Sequence, residues 1–413
     1  MPIKPLFIIP MPKLTLNDLT LAGRRVLVRV DFNVPLHTEG NGSRTVADDT
    51  RIRAALPTIR HILDAGGSAI LTSHLGRPKG QHKPELSLEP VARHLEGLLG
   101  RPVRFVPVLT GDVLQTVVSG LLPGGVLLLE NTRFDPREKK NDPALAAELA
   151  SLADVYVNDA FGTAHRAHAS TEGAAHHASE AAMGHLLKRE VEYLTRVLEA
   201  PEAPFVAVLG GAKVSDKIGV IENLLDKVDA VLIGGAMSYT FLKALGGAVG
   251  ASKVEEDKLD VALSLYERAG GKIKLPVDHV VADAFSNDAP HHTVEGDIPD
   301  GMMALDIGPA TVANYRALLL GAKTIVWNGP MGVFEMSNFA KGTFAIAETL
   351  AEATRGGALS LVGGGDSVAA INQSGYDDEV SHVSTGGGAM LEFLEGKTLP
   401  GIAALTERAP TEA

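Results

Sequence analysis

The chain has no cysteine, so it can form no disulfide, bind no metal through thiolates and use no cysteine nucleophile, which fits a reducing compartment and excludes a zinc finger. It also lacks a basic excess. The formal net charge is −12, which argues against a general nucleic-acid binder. No Ser-rich linker, low-complexity segment or short-period repeat occurs. The N-terminal apolar run Leu6 to Ile9 is too short for a signal h-region or a membrane span and reads as part of a loose tail, with Met11 as an alternative start before the regular pattern at Lys13. Several motifs are missing as well. No GxGxxG follows a strand-like run, and neither HExxH nor a protein-kinase catalytic loop is present. Gly396-Lys397-Thr398 resembles the end of a P-loop, but Leu391 stands where that motif needs its first glycine.

What is present describes a folded, two-domain protein. The chain has 413 residues, 45% hydrophobic and 21% charged, more than a single growing core usually accommodates. Short apolar runs alternate with helical patterns: Val26 to Val30, Ala69 to Thr72, Val103 to Val106, Val126 to Leu129 and Val155 to Val157 in the first half. Phe205 to Leu209, Ala230 to Ile233, Thr324 to Trp327, Leu359 to Val362 and His382-Val383 repeat the rhythm in the second. Near-continuous apolar strands in a β/α rhythm predict α/β architecture, with two Rossmann-like, doubly wound parallel-sheet domains. Between them, Gly184 to Glu199 carries Leu186, Leu187, Val191, Leu194, Val197 and Leu198 on one helical stripe ending before Pro201, a connecting helix. The predicted division is 1–183, a connecting helix 184–200, a second domain 201–390, and a segment 391–413 returning to the first.

Charge is unevenly distributed. Residues 1–185 hold 20 Lys and Arg against 19 Asp and Glu, whereas residues 186–413 hold 18 against 31. Fourteen of the twenty arginines lie in the first part, and Arg suits planar contact with phosphate and carboxylate. Any one of them can instead be a solvated surface residue.

In the second half, Leu209 to Lys217 (LGGAKVSDK) follows a strand and leads into an apolar helix face. A glycine turn at a helix N-terminus offers free N–H groups to an anion, and Lys213 and Lys217, four apart, are expected on one helix face. Trp327 to Glu335 (WNGPMGVFE) and Val362 to Ser367 (VGGGDS) also follow strands. There Asp366 is placed either to hold Mg²⁺ against nucleotide phosphates or merely to cap a helix after a tight turn, and Glu335 could accept from a ribose hydroxyl. Ser384 to Gly388 is a third such turn. In the first half, strand ends deliver Asp31 and Asn33, then Ser73 to Pro78 (SHLGRP), Glu130 to Arg133, and Asn158 to His168 (NDAFGTAHRAH). A lone histidine is more often structural, and Asp159 can be a turn former. A cluster at strand C-termini is where doubly wound folds bind ligands.

The segments VRVDFNVPL, SHLGRP, NDAFGTAHRAH, LGGAKVSDK, IVWNGPMGVFE, GGGDS and VSHVSTGGGA run in this order from residue 28 to residue 389, and together they resemble the phosphoglycerate kinase family over nearly the whole chain. The resemblance implies two domains facing a central cleft, with reversible phosphoryl transfer from 1,3-bisphosphoglycerate to ADP. It implies a glycerate site of Asp31, Asn33, Arg51, His74, Leu75, Gly76, Arg77, Arg133, Arg166 and His168, with His165 nearby. It implies a nucleotide site of Gly211, Ala212, Lys217, Asn328, Glu335, Gly364, Gly365, Asp366 and Ser367, with Asp366 at Mg²⁺ and Arg51, Lys213 and Lys217 catalytic. The stretch Leu36 to Asp48 looks longer than usual and leaves the loop before Arg51 less defined, and the tail after Leu405 is unusual. The family also implies a cytoplasmic monomer acting on small molecules, with neither nucleic acid nor membrane as partner. Two other classes share the architecture. A nicotinamide dehydrogenase would need the absent glycine fingerprint, and a periplasmic-type binding protein would need an export signal.

Overall fold

The alternating apolar runs form two six-stranded parallel sheets. The computed structural model describes residues 13–40 and 42–408, so the N-terminal tail and the alternative start at Met11 lie outside the described residues. Chain contacts separate two units. One runs to Val191 and resumes at Thr398; the other is Glu192–Lys397. The boundary therefore falls inside the helix His185–Glu199, whose Leu187, Leu194, Val197 and Leu198 are buried while Leu186 and Val191 are only half-buried.

In the first unit the strands lie in the spatial order Arg104–Val106, Val126–Leu129, Ser68–Thr72, Arg25–Arg29, Val155–Asn158 and Ala181–Met183. Ser68–Thr72, Val126–Leu129 and Val155–Asn158 are buried at every position, as expected of parallel strands covered on both faces. On one face Val26, Val28, Leu71 and Leu128 pack with Ile52, Ile59 and Ile62 of helix Thr50–Asp64 and with Val91 and Leu95 of helix Glu89–Leu99.

In the second unit the order is Ile273–Lys274, Ala230–Ile233, Phe205–Leu209, Thr324–Asn328, Leu359–Val362 and His382–Val383. Numbered along the chain this is the 3-2-1-4-5-6 order of dinucleotide-binding sheets. Its direction of growth reverses between Phe205–Leu209 and Thr324–Asn328, which pair in parallel; ligands of such sheets bind beyond the strand ends at that reversal. Val206, Val208, Ile325 and the fully buried Trp327 form the core with Tyr315, Leu319, Ile346 and Leu350 from two covering helices.

Some elements differ from the sequence expectation. Asp278–Ala282, His291–Glu295 and Met303–Ile307 form a separate antiparallel sheet, unread because His291–Glu295 is largely exposed and polar. Ala181–Met183 was missed because alanine carries little strand signal. The long stretch before Arg51 is a hairpin, Leu36–Thr38 with Arg44–Val46. Asp48 then accepts from the Thr50 amide at 2.8 Å, so Arg51 sits in the first turn of a well-anchored helix. The C-terminal boundary moves. Residues 391–397 stay with the second unit, where the Leu394 carbonyl accepts from Asn223 Nδ2 at 2.7 Å, and the chain joins the first unit only from Thr398. There the Gly401 carbonyl accepts from Asn158 Nδ2 at 2.9 Å. No described helix is long and apolar enough to cross a membrane.

Candidate active site

Four neighbouring strands of the first unit end on one edge, and each contributes to a basic cluster. After Arg25–Arg29 the chain places Asp31 and Asn33. Arg51 Nη1 donates to Asp31 Oδ2 and to the Asn33 carbonyl, each at 3.2 Å, which holds a guanidinium still 38% exposed. After Ser68–Thr72 come His74, Leu75, Gly76 and Arg77. The Gly76 amide donates to Asn33 Oδ1 at 2.8 Å, and the Gly76 carbonyl accepts from Arg133 Nη1 at 2.8 Å. His74 and Leu75 are buried and Arg77 is exposed. After Val155–Asn158, Arg166 Nε donates to His165 Nε2 at 3.0 Å.

The electrostatics of this cluster are those of an anion site. Burial, with Arg29 and Arg166 close by, lowers the pKa of Arg133 to about 10, so it stays charged at neutral pH. Burial and the surrounding arginines depress His168 to about 3 and His74 well below its ordinary value, and burial with Arg166 depresses His165 to about 4. The three imidazoles are therefore neutral among fixed cations. Arg133 Nε, His165 Nδ1 and His168 Nδ1 are buried without a hydrogen-bond partner among the described residues, a cost that native structures rarely leave uncompensated.

Asn131, quoted in the sequence only as part of a segment, ties two of these loops together. Its Oδ1 accepts from the Leu75 and Arg133 amides, each at 3.1 Å. Its Nδ2 donates to the Leu75 carbonyl at 2.7 Å and the Leu86 carbonyl at 2.9 Å. Glu130 in turn accepts from the Asn131 and Leu88 amides and from Ser87 Oγ. Asn131→Asp keeps the volume but turns both donors into an acceptor facing carbonyls. It should cost about 2–4 kcal/mol, read as a lowered urea midpoint at unchanged m-value; an unaltered midpoint would remove Asn131 from this role.

In the second unit the glycine turns meet where the strand order reverses. The Gly210 amide donates to the Asn328 carbonyl at 2.9 Å, and a Cβ on Gly210 would lie 2.1 Å from the Pro330 carbonyl oxygen, so only glycine fits there. Lys217 is buried and its Nζ donates to Asn328 Oδ1, while Asn328 Nδ2 donates to the Gly363 carbonyl at 2.7 Å. Burial lowers the Lys217 pKa, against the pull of Asp216 and Asp366. Gly364, at φ +100°, caps the helix Gly365–Ser374, with a Cβ there 2.8 Å from Asn328 Nδ2. Ser367 Oγ accepts from the Gly329 amide at 2.5 Å. Asp366 is exposed in the first turn and is not the cap. The third turn is adjacent: a Cβ on Gly387 would sit 2.7 Å from Gly364 Cα.

A cavity of about 370 Å³ opens beside these turns. Gly211, Ala212, Glu335 and Asp366 line it together with Gly235, Ala236, Tyr239, Leu305 and Val333. Gly235, Ala236, Tyr239 and Leu305 were missed, and Val333 was quoted only as part of the segment Trp327 to Glu335. Gly234-Gly235 directly after strand Ala230–Ile233 repeats the signal that Gly210-Gly211 supplied, whereas Leu305 comes from the unread antiparallel sheet. One expectation fails. The helix begins only at Ile218, with Lys217 as its N-cap and Lys213 exposed in the preceding turn. The two lysines thus share no helix face, because the Val214 to Lys217 segment closes as a turn, the Lys217 amide donating to the Val214 carbonyl at 2.9 Å.

Comparison with known proteins gives the family. The family model for phosphoglycerate kinase matches residues 16–397. The chain belongs to the phosphoglycerate kinase family. A phosphoglycerate kinase from Salinibacter ruber is 62% identical over 397 residues, covering 96% of this chain and all of the relative. One from Levilactobacillus brevis is 55% identical with the same coverage of both. Among solved structures, phosphoglycerate kinase from Coxiella burnetii matches with a TM-score of 0.87 at 46% identity, over 96% of this chain and 100% of that one. The enzyme from Pyrococcus horikoshii matches with a TM-score of 0.82 at 33% identity, over 95% and 98%. Phosphoglycerate kinases move a phosphoryl group between 1,3-bisphosphoglycerate and ADP, a reaction of glycolysis.

Proposed function

We propose that the strand-end cluster of the first unit holds the glycerate and the glycine turns of the second unit hold the nucleotide, and that the chain, a phosphoglycerate kinase, transfers the phosphoryl group between them. The observation that carries this reading is the set of buried, unpartnered nitrogens Arg133 Nε, His165 Nδ1 and His168 Nδ1 beside Arg51 and Arg166, which an anionic phosphoester and carboxylate would satisfy. Asp31 and Asn33, fixed by Arg51 and Gly76, are suited to the glycerate hydroxyl; Arg77, exposed beside them, adds a further cation. The cavity at Gly211, Ala212, Leu305 and Val333 suits a nucleoside base, with Glu335 within the same wall for a ribose hydroxyl.

In the direction of ATP consumption, a carboxylate oxygen of 3-phosphoglycerate forms the new P–O bond as the γ-phosphorus separates from the bridging oxygen of ADP. The carboxylate carries no proton, so no general base is required. The work left to the protein is positioning and charge stabilisation. Arg51 and Lys217 meet the equatorial oxygens of the transferred group, and Lys213, free in its turn, offers a further cation to the phosphates. No group of three or more metal-binding side chains occurs among the described residues. A single exposed carboxylate, Asp366, fits Mg²⁺, which such sites commonly bind through one or two carboxylates plus substrate phosphates, and which would neutralise phosphate charge there.

In-line transfer requires the two ligands to come together and water to leave, so the units close over them, with the helix His185–Glu199 and the segment Ser381 to Gly388 as pivots. The protein acts as a cytoplasmic monomer on small molecules, with no nucleic-acid or membrane partner. A coupled assay should detect Mg²⁺-dependent ATP consumption with 3-phosphoglycerate, abolished by chelation. A folded protein without turnover would refute the assignment.

A further inference from the structure

Arg29 is fully buried and so cannot touch a ligand, yet it stands directly beneath the glycerate cluster. Its three nitrogens have defined acceptors. Nη1 donates to the Val30 carbonyl, Nε to Ser170 Oγ at 2.9 Å, and Nη2 to His74 Nδ1 at 3.1 Å. A guanidinium is a donor only, so the His74 nitrogen facing it must be an acceptor, and the neutral ring carries its proton on Nε2. Asp31 does not compete for Nδ1, its nearer oxygen being 3.9 Å away. The tautomer of His74 is therefore set from below.

Behind Arg29 stands Glu138, 0% exposed and 32 residues away from its partner in sequence. Its Oε1 accepts from Ser170 Oγ at 2.6 Å and its Oε2 from the Ser170 amide at 2.9 Å. With its proton committed to Glu138, the Ser170 hydroxyl can only accept from Arg29. The backbone around Ser170 is itself fixed, since the buried Tyr156 hydroxyl donates to the Ser170 and Thr171 carbonyls, each at 2.9 Å. A buried carboxylate is expensive unless it is paired and bonded, and here it supplies the counter-charge to a buried arginine through one intervening hydroxyl.

We propose that Glu138 is a positioning residue for the glycerate site: through Ser170 it orients Arg29, which fixes His74 with Nε2–H directed to substrate. This rests on the reading of His74 as a glycerate contact. The burial-depressed pKa of His74 keeps the ring neutral, as the arrangement requires.

The test is the Glu138→Gln variant of the full chain. The Ser170 hydroxyl and amide bond to separate oxygens of the carboxylate, and Gln puts an NH2 donor in place of one of them. The Ser170 N–H, which can only donate, keeps the remaining oxygen, so the hydroxyl loses its acceptor and is freed to turn. Expected are a KM for 3-phosphoglycerate raised about tenfold, an unchanged KM for ATP, and a ¹⁵N NMR signature of His74 that shifts from the Nε2–H form to a tautomer mixture. In a His74→Ala background the same substitution should raise the KM no further. An unchanged KM and an unchanged His74 signature in a folded variant would overturn the proposal, and so would an equal effect in the His74→Ala background. Should Glu138→Gln not fold, Ser170→Ala, which cuts the same chain, is read in the same way. A His74→Ala variant with an unaltered KM for 3-phosphoglycerate would remove the glycerate-site reading itself, whereas a raised KM there with no effect of Glu138→Gln removes only the role of Glu138.

Discussion

An Arg51→Ala variant should turn over at least about a hundredfold more slowly than the parent, the scale of losing one charged contact to a developing transition state. The expectation follows from how Arg51 is held. One nitrogen is committed to Asp31 and the Asn33 carbonyl, which fixes the side chain while leaving a planar, permanently charged fork partly exposed. Because the helix N-terminus beneath it is anchored by Asp48, alanine there should leave the fold intact, and circular dichroism and the urea midpoint should match the parent. Arg51→Lys keeps the charge but loses the fork, so it should recover only part of the rate. A kcat within threefold of the parent would mean that Arg51 orders the Asp31–Asn33 loop without meeting the transferred group.

Lys217→Ala should likewise lower kcat on the order of a hundredfold, for a different reason. Lys217 is buried against Asn328, and Asn328 also bonds the Gly363 carbonyl and lies against Gly364. Losing the lysine therefore removes a positive charge and loosens the turn that carries Asp366. The KM for ATP should rise with the fall in kcat, while the KM for 3-phosphoglycerate stays near the parent value. Stopped-flow single turnovers would separate the two effects. Lys213→Ala is the internal comparison: exposed and outside the helix, Lys213 should affect the reaction less than Lys217 does.

The parallel sheets could be read in the sequence because their strands are apolar at nearly every position, as in Phe205–Leu209 and Thr324–Asn328, both wholly buried. Strand-end chemistry was legible for the same reason: once the strands are placed, Asp31, His74, Arg133 and Arg166 fall on one edge. The antiparallel strands around Met303–Ile307 were not legible, since their outer neighbour is exposed and carries no alternation, and Leu305 of the cavity beside the glycine turns was lost with them. Residues that act through remote partners were equally invisible. Asn131 reaches Leu75 across 56 positions and Arg29 reaches Ser170 across 141, separations that no local pattern encodes. The paired-lysine expectation failed because a turn of backbone hydrogen bonds from Val214 to Lys217 replaced the extra helical turn that a shared face requires.

The central claim is that the glycerate and the nucleotide bind to different units, each at its own strand ends. Hydrogen–deuterium exchange tests it most directly, with 3-phosphoglycerate alone and with Mg²⁺-ADP alone. The account predicts that 3-phosphoglycerate protects the segments around Asp31, His74, Arg133 and Arg166, whereas Mg²⁺-ADP protects those around Gly211, Asn328 and Gly364. Protection of the Gly364 turn by 3-phosphoglycerate alone, with the Arg133 and Arg166 segments unaffected, would contradict it.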